Sequence, residues 1–405
     1  MKQKKCSDSA DWVDKRDSWR GWLAVGCAFA SMFICFGIAY SFGAFFNSMS
    51  SEFGASSSAT SAVFSITTFI FFSGGMISGG ATDRFGPKPV LIFGGLVMGL
   101  GLYLTSLAES IWIGYVTYGL GVGIGVSCGY VPMLAVVGAW FEKRRAAAIG
   151  IAVTGIGFGT LLMAPLAANL ISRYGWRQTY LIFGILSVVV LVLCGLITPR
   201  PPVAPGLELK KSLGELVSMP VFRYMYLSAL LITLALFFPF VFLVPYAKTQ
   251  GIQEVAAASL VGVIGAASIV GRLGFGALGV RFSRIHLFQL TFILVSISFI
   301  FWMLASASFA MLVIFAIILG FGYGGFIALS PTVASELFGL VGLGSILGTL
   351  YTAAGFGGLL GPPMAGFLID TTGSYTIAII AALTMAFLAF LLLIPIERIM
   401  RQLHT

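Results

Sequence analysis

Within the run GAASIVGRLGFGAL (265–278) a single permanently charged side chain, Arg272, interrupts an otherwise apolar helical stretch. A guanidinium is a planar fork that meets a carboxylate through two parallel hydrogen bonds. At an effective dielectric near 20 such a contact is worth on the order of 4 kcal/mol. An arginine at the middle of a spanning helix costs about 2.5 to 3.5 kcal/mol, a comparable amount. All 14 acidic residues fall in tails, in loops or at the ends of apolar runs, so Arg272 has no evident counter-ion in the chain. Two roles stay open. Arg281 lies nine residues further on, roughly 13 Å of helix rise, and the side chain could snorkel in that direction. Alternatively, the counter-ion is an anion that comes and goes.

Hydroxyl groups near the middles of other apolar runs could share such a site. Tyr323 lies in GFGYGG (320–325), Tyr351 in GTLYTAAGFGG (348–358) and Tyr118 in the fourth run, while Ser268 stands one turn before Arg272. A buried phenol wants a hydrogen-bond partner, so each tyrosine fits either packing or contact with a cargo. Phe36 and the run FFPF (237–240) could supply apolar walls. These runs contain no histidine cluster, acidic pair or metal-ligand spacing. That points away from a membrane-embedded enzyme and gives no reason to expect a metal or cofactor. The glycine string GLGVGIGVSCG (119–129) lies inside an apolar run, not after a strand, and reads as close helix packing, not a dinucleotide loop.

The elements carrying these residues follow from composition. Of 405 residues 59% are hydrophobic and only 9% charged. Twelve apolar runs recur, at 21–46, 57–81, 89–108, 111–138, 146–171, 179–197, 222–246, 255–279, 285–305, 307–333, 343–369 and 376–396. Each is near the roughly 20 residues a helix needs to cross a bilayer, and backbone groups in hydrocarbon must pair within the segment. With the N-terminus counted as cytoplasmic, 19 of the 23 Lys and Arg residues lie in the tails and even-numbered connections. Only Arg173, Arg177 and Lys248 fall on the other side, with Arg272 left over. The positive-inside rule therefore predicts a multi-pass protein of the cell inner (plasma) membrane with both termini cytoplasmic. The net charge of +9 then reports topology and attraction to anionic lipid, not nucleic-acid binding. Cys27, Cys35, Cys128 and Cys194 lie in the runs and Cys6 in the tail, without zinc or disulfide spacing. The first twenty residues lack a signal-peptide layout, so the first run is expected to act as an uncleaved insertion signal.

The proline-rich stretch 198–220 divides the chain into halves that match at an offset of 197: Gly79 with Gly276, Arg84 with Arg281, Phe85 with Phe282, Phe141 with Phe338 and Pro165 with Pro362. The partner of Arg272 is Gly75, so the repeat does not require a charge there. Internal duplication of this kind marks secondary transporters. The expected organisation is a tail (1–20), a six-helix bundle (21–197), a linker with a short surface helix (198–220), a second bundle (221–396) and a tail (397–405).

GGATDRFGPK (79–88), after the second run, resembles the signature loop of the major facilitator superfamily. The resemblance implies an all-α membrane protein whose twelve transmembrane helices form two pseudo-symmetric six-helix bundles. It also implies a conformational latch made by Gly79, Asp83, Arg84 and Gly86, with Asp83 facing a helix N-terminus. The second copy, GALGVRFSRI (276–285), has Val280 where an aspartate would stand. RGWLAVGCAFA (20–30), YSFGAFF (40–46), WFEKRRAAAIGIA (140–152) and YGWRQTYLIFG (174–184) are similar to the monocarboxylate transporters and the oxalate:formate antiporters. Both branches carry a substrate-binding arginine in the eighth span, a role the resemblance gives to Arg272.

The sequence departs from each branch. Ser268 stands where the monocarboxylate branch has an aspartate, no lysine lies between 21 and 46, and 343–369 lacks the lysine of the oxalate exchangers. One cation matches one carboxylate, whereas a dianion would strand a charge at low dielectric. The expected function is alternating-access transport of a small, lactate- or pyruvate-like monocarboxylate by a monomer in lipid. The resemblance adds a co-transported proton. Anion exchange of the oxalate:formate type and a non-transporting membrane sensor are the alternatives.

Overall fold

The computed structural model describes residues 18–142, 144–201, 218–305, 308–338 and 343–396. The predicted C-terminal tail, residues 1–17 of the predicted N-terminal tail and residues 202–217 of the predicted linker lie outside these residues. Among the described residues there is no strand, and twelve helical segments are long and apolar enough to cross a membrane. In chain order they are α1 (Trp19–Phe53), α2 (Ser57–Phe85), α3 (Pro87–Ser106), α4 (Ile111–Trp140), α5 (Ala147–Tyr174) and α6 (Trp176–Ile197). The second half holds α7 (Pro220–Thr249), α8 (Glu254–Leu278), α9 (Arg284–Met303), α10 (Phe309–Phe338), α11 (Ile346–Thr372) and α12 (Thr376–Ile396).

Three of these helices are interrupted, α12 at residues 392–393 near its end and α1 and α4 where their sequences compete with the helical ladder. In α1 the helix pauses at Ser41, whose hydroxyl donates to the Ile38 carbonyl at 2.8 Å, a side-chain bond that competes with continued helix. In α4 the backbone bends at Tyr130 (φ −105°, ψ −78°), just before Pro132, which cannot donate to the ladder. Both breaks turn out to border the site.

The halves meet along two seams, α5 against α8 and α2 against α11. The offset of 197 carries α5 onto α11 and α2 onto α8, so each seam is the repeat image of the other. Small residues make both seams close. A Cβ at Gly157 would lie 2.4 Å from Ile269 Cγ1, one at Gly262 would lie 2.8 Å from the Leu161 carbonyl oxygen, and one at Gly358 would lie 2.1 Å from Thr68 Cγ2. With lipid tails as apolar as the side chains, such backbone approach is a main source of helix association.

Both seams part at the same end. Gly80 on α2, Gly150 on α5, Gly276 on α8 and Gly348 on α11 each have nothing within 4 Å of where a Cβ would stand. This basic end carries Arg84, Lys88, Arg144, Arg200 and Arg281. The opposite end is shut. There a Cβ at Gly43 would lie 2.8 Å from the Phe240 carbonyl, and the Phe46 and Phe242 rings are 5.1 Å apart. Asp370, near the end of α11, accepts the backbone N–H groups of Ser57 and Ser58, both at 2.9 Å, and so caps α2 across the seam. A carboxylate at a helix N-terminus is stabilised by the helix dipole as well as by these bonds. Glu52, Trp176 and Arg177 tie the same end of the first bundle together, with Arg177 also donating to the carbonyls of Ser106 and Ala108.

Replacing Asp370 with Ala removes the cross-seam cap at a cost of about 1 kcal/mol, roughly a fivefold shift toward molecules open at this end. Spin labels at the exposed Glu109 and Gln253, one on each half, should then report a larger share of long distances; an unchanged distribution would show that the cap does not hold the halves together.

Candidate functional site

Between the parted seams lies a chamber of about 810 Å³, its open mouth included. The first bundle contributes Phe36 and Tyr40 (α1), Phe72 (α2), Tyr130 (α4) and Ile156 (α5), and the second contributes Phe237 (α7), Phe292 (α9), Tyr323 and Phe326 (α10) and Tyr351 (α11). Local chain breaks help to set this wall. Tyr40 is the last residue before the pause at Ser41, and Tyr130 is the residue at the bend before Pro132.

Arg272 is on α8, only 5% exposed, immediately behind this wall and not part of it. One N–H of Nη1 donates across the seam to the Val153 carbonyl of α5 at 3.0 Å. Nε and Nη2 are buried with no hydrogen-bond partner among the described residues. No acidic side chain pairs with the guanidinium among those residues. Its Cζ lies 5.7 Å from the centre of the Tyr323 ring. The phenol groups of Tyr323, Tyr130 and Tyr40 are the charge-sensitive groups within electrostatic reach.

Glycines explain how the charge and the phenol meet. A Cβ at Gly324 would lie 2.2 Å from the Ser268 carbonyl and 2.9 Å from the Arg272 backbone nitrogen, and one at Gly271 would lie 2.2 Å from the Phe321 carbonyl. The string GFGYGG therefore lets α10 touch the backbone of α8 and brings Tyr323 over Arg272. At the repeat position of Arg272, a Cβ on Gly75 would meet Val131 Cγ2 at 2.6 Å, so the first bundle has no room for a matching side chain.

The residues singled out in the sequence separate into groups. Tyr323, Tyr351 and Phe36 line the chamber. Phe36 packs edge-on against Tyr40 and Tyr130, with ring centres 5.4 and 5.1 Å apart. Ser268 is buried, and its hydroxyl donates to the Gly265 carbonyl of its own helix at 2.8 Å, away from the chamber wall. Tyr118 is 0% exposed and stands between Phe42 and Tyr180, its hydroxyl 3.4 Å from the Ile38 carbonyl; it belongs to the first bundle's core and not to the chamber.

The loop residues occupy the basic end, away from the chamber. Gly86 takes φ +87° to turn the chain into α3, a conformation that favours glycine, and Gly79 faces Val131. Asp83 and Arg84 are exposed, and among the described residues Asp83 makes no hydrogen bond to a helix N-terminus. The carboxylate that does cap a helix across the halves is Asp370, at the other end.

Tyr40 and Tyr130 were not visible as site residues in the sequence. Tyr40 stacks on Phe240 of α7 at 4.3 Å, and its hydroxyl shares a hydrogen bond of 3.0 Å with that of Tyr323. The usable signals were the serine pause after Tyr40 and the proline two residues after Tyr130. Chemically the arrangement is one buried cation with spare donors, four phenols and an apolar surround. No group of three or more metal-ligating side chains occurs among the described residues. The arrangement suits reversible binding of an anion carrying one negative charge.

The chain matches the model of the Major Facilitator Superfamily over residues 27–307 and 269–402. It is 33% identical to monocarboxylate transporter 13 of Rattus norvegicus over 371 residues, covering 89% of this chain and 85% of the relative. Monocarboxylate transporter 3 of Rattus norvegicus is 32% identical over 88% of this chain and 76% of its own length. Among solved structures, a bacterial homologue of the human lysosomal transporter Spinster, in an inward-facing and occupied conformation, superposes with a TM-score of 0.75 at 16% identity. That superposition covers 92% of this chain and 96% of the other.

Two stability measurements test this geometry. Tyr40→Phe and Tyr323→Phe should each cost about 1 kcal/mol, and the double variant should cost less than their sum, because each hydroxyl satisfies the other. Arg272→Met removes an unpaired buried charge and should unfold at or above the temperature of the parent protein; a marked fall would assign the guanidinium a structural task.

Proposed function

The chain belongs to the Major Facilitator Superfamily and, within it, to the monocarboxylate transporters, and from that membership and the chamber we propose that it carries a small monocarboxylate such as lactate or pyruvate by alternating access. The observation that carries the reading is Arg272, buried with two donor nitrogens unsatisfied and no acidic partner among the described residues. In a site of low dielectric an unmatched cation is costly, and a carboxylate that accepts from Nε and Nη2 neutralises it with two charge-assisted bonds. Nη1 stays on the Val153 carbonyl, so the fork holds α5 and cargo together. That bond crosses the α5–α8 seam, which gives substrate binding a direct grip on the surface along which the halves move.

The transport cycle follows from the two ends. Cargo enters by the basic end, passes Tyr323 to reach the guanidinium and leaves the loaded site neutral. A neutral site crosses the closed state more readily than a bare cation, which favours rocking of the loaded carrier. Opening the far end then requires release of the Asp370 cap and of the contact between Gly43 and Phe240. The positive-inside distribution supports a cytoplasmic basic end, in the plasma membrane.

Proton coupling belongs to the same proposal. Among the described residues no Asp, Glu or His lines the chamber, so the cargo's own carboxylate is the group available to carry a proton. The single cation favours a monoanion over the dianion that an oxalate exchanger takes.

In proteoliposomes, Arg272→Ala and Arg272→Lys should both abolish lactate uptake while the proteins remain folded, since an ammonium cannot hold Val153 and a carboxylate in the same fork. Near-normal uptake by Arg272→Ala would overturn the site assignment. An inward acid gradient should accelerate uptake by the parent protein; indifference to pH, with dependence on an internal anion, would assign exchange instead.

A further inference from the structure

Beyond Tyr323 the chamber wall is mostly apolar, with the hydroxyls of Ser330 on α10 and Tyr351 on α11 as its polar points on that side. On α10 the next turn toward the open end presents Phe326, roughly 4.5 Å of helix rise beyond Tyr323. Phe326 stacks on Phe288, with ring centres 5.8 Å apart, and meets Phe292 edge-on at 5.6 Å. Leu236 and Phe237 of α7, in the same half as Phe326, extend this surface into an apolar collar. Three of the lining hydroxyls are engaged within the protein: Thr233 donates to the Ala229 carbonyl of its own helix at 2.7 Å, and the Tyr40 and Tyr323 hydroxyls bind each other.

A lactate or pyruvate held at Arg272 ends in a methyl group and stops short of this collar. The collar would then face water while cargo is bound, and the apolar surface would contribute nothing to selection. A cargo that keeps the same head but extends one ring further would cover Phe326 and Phe237 and leave its carboxylate on the guanidinium. Aromatic rings on both walls, Phe72 and Tyr130 on one and Phe237 and Phe326 on the other, suit offset or edge-on contact with a ring.

Resting on the carboxylate reading above, we infer that the preferred cargo is a monocarboxylate whose tail is one aromatic ring or a branched alkyl group of similar size. Its polar atoms are confined to the carboxyl end. Selection between cargoes then comes from the apolar collar, and Arg272 sets only the requirement for a carboxylate.

The test compares acids with one head and different tails. Lactate and 3-phenyllactate share the carboxylate and 2-hydroxyl and differ by a phenyl group; octanoate adds a long flexible chain without a ring. In proteoliposomes containing the full chain, 3-phenyllactate should compete for labelled lactate uptake at a concentration at least tenfold below that of unlabelled lactate, and octanoate should compete less well than 3-phenyllactate. Ala229→Phe, which narrows the apolar wall of α7, should lower the ratio of 3-phenyllactate to lactate affinity by tenfold or more. Thermal shift of the purified parent protein with each acid gives the same ranking independently of flux. If lactate is carried and 3-phenyllactate competes no better, the tail assignment is overturned and the carboxylate reading stands. Stronger competition by octanoate also overturns the ring-sized tail. If none of the three acids binds or is carried by folded protein, both readings fall.

Discussion

Placing a guanidinium behind a wall of rings and methyl groups removes most of its hydration, and among the described residues one carbonyl, that of Val153, accepts a hydrogen bond from it. In the proposed reading the remaining donors, Nε and Nη2, are matched by the carried carboxylate. Much of the architecture can be traced to that condition. Phenols cluster around the charge because they tolerate burial and offer weak electrostatic compensation without neutralising it, whereas an adjacent carboxylate would close the site to an anion. Tyr323 lies over the fork, and its bond to Tyr40 spans the two halves. In the proposed cycle, a cargo that displaced or tilted this pair would act on both bundles at once.

The duplicated halves supply the moving parts, and their differences supply the site. The seams α5–α8 and α2–α11 are images of one another and are built from close backbone contact at glycine, which lets helices slide or tilt with little side-chain interlock. Symmetry ends at residue 272. Its counterpart Gly75 is packed against Val131, while the counterpart of Val153 is Leu350, a chamber residue. A second charge in the first bundle would need space that α4 occupies. The cation is thus off-centre, with apolar surface opposite it, an arrangement suited to a cargo with one charged end.

The two ends of the molecule are held by different chemistry. At the shut end, Asp370 grips two backbone N–H groups and the Glu52–Arg177 cluster stiffens the first bundle. At the basic end the seam helices separate, and the glycine of each faces open space. A carboxylate on a helix N-terminus is reversible at modest cost, which is what an alternating gate requires. Residue 370 ends an apolar run in the sequence, and nothing in its neighbourhood announces that it caps a helix more than three hundred residues earlier.

Local chemistry written in the chain decided a good deal. Runs of about 20 apolar residues must be helices in hydrocarbon, so the all-α architecture and the twelve spans follow from composition alone. The offset of 197 exposed the duplication, and the lone charge in 265–278 marked Arg272 without any coordinates. Tyr323 and Tyr351 could be noticed as mid-span phenols, but the same logic selected Tyr118, which the fold spends on the core. Facing direction separates them, and a helix that is apolar all round carries no amphipathic signal from which to read it. Tyr40 and Tyr130 were hidden for a related reason: their orientation is set by a serine pause and a proline bend. Only the packing of distant helices decided which hydroxyls surround the guanidinium, that its counter-ion is missing from every neighbouring element described, and that the apolar collar begins one turn away. Those are relations between segments brought together by glycine contacts, and spacing along a single segment contains no record of them.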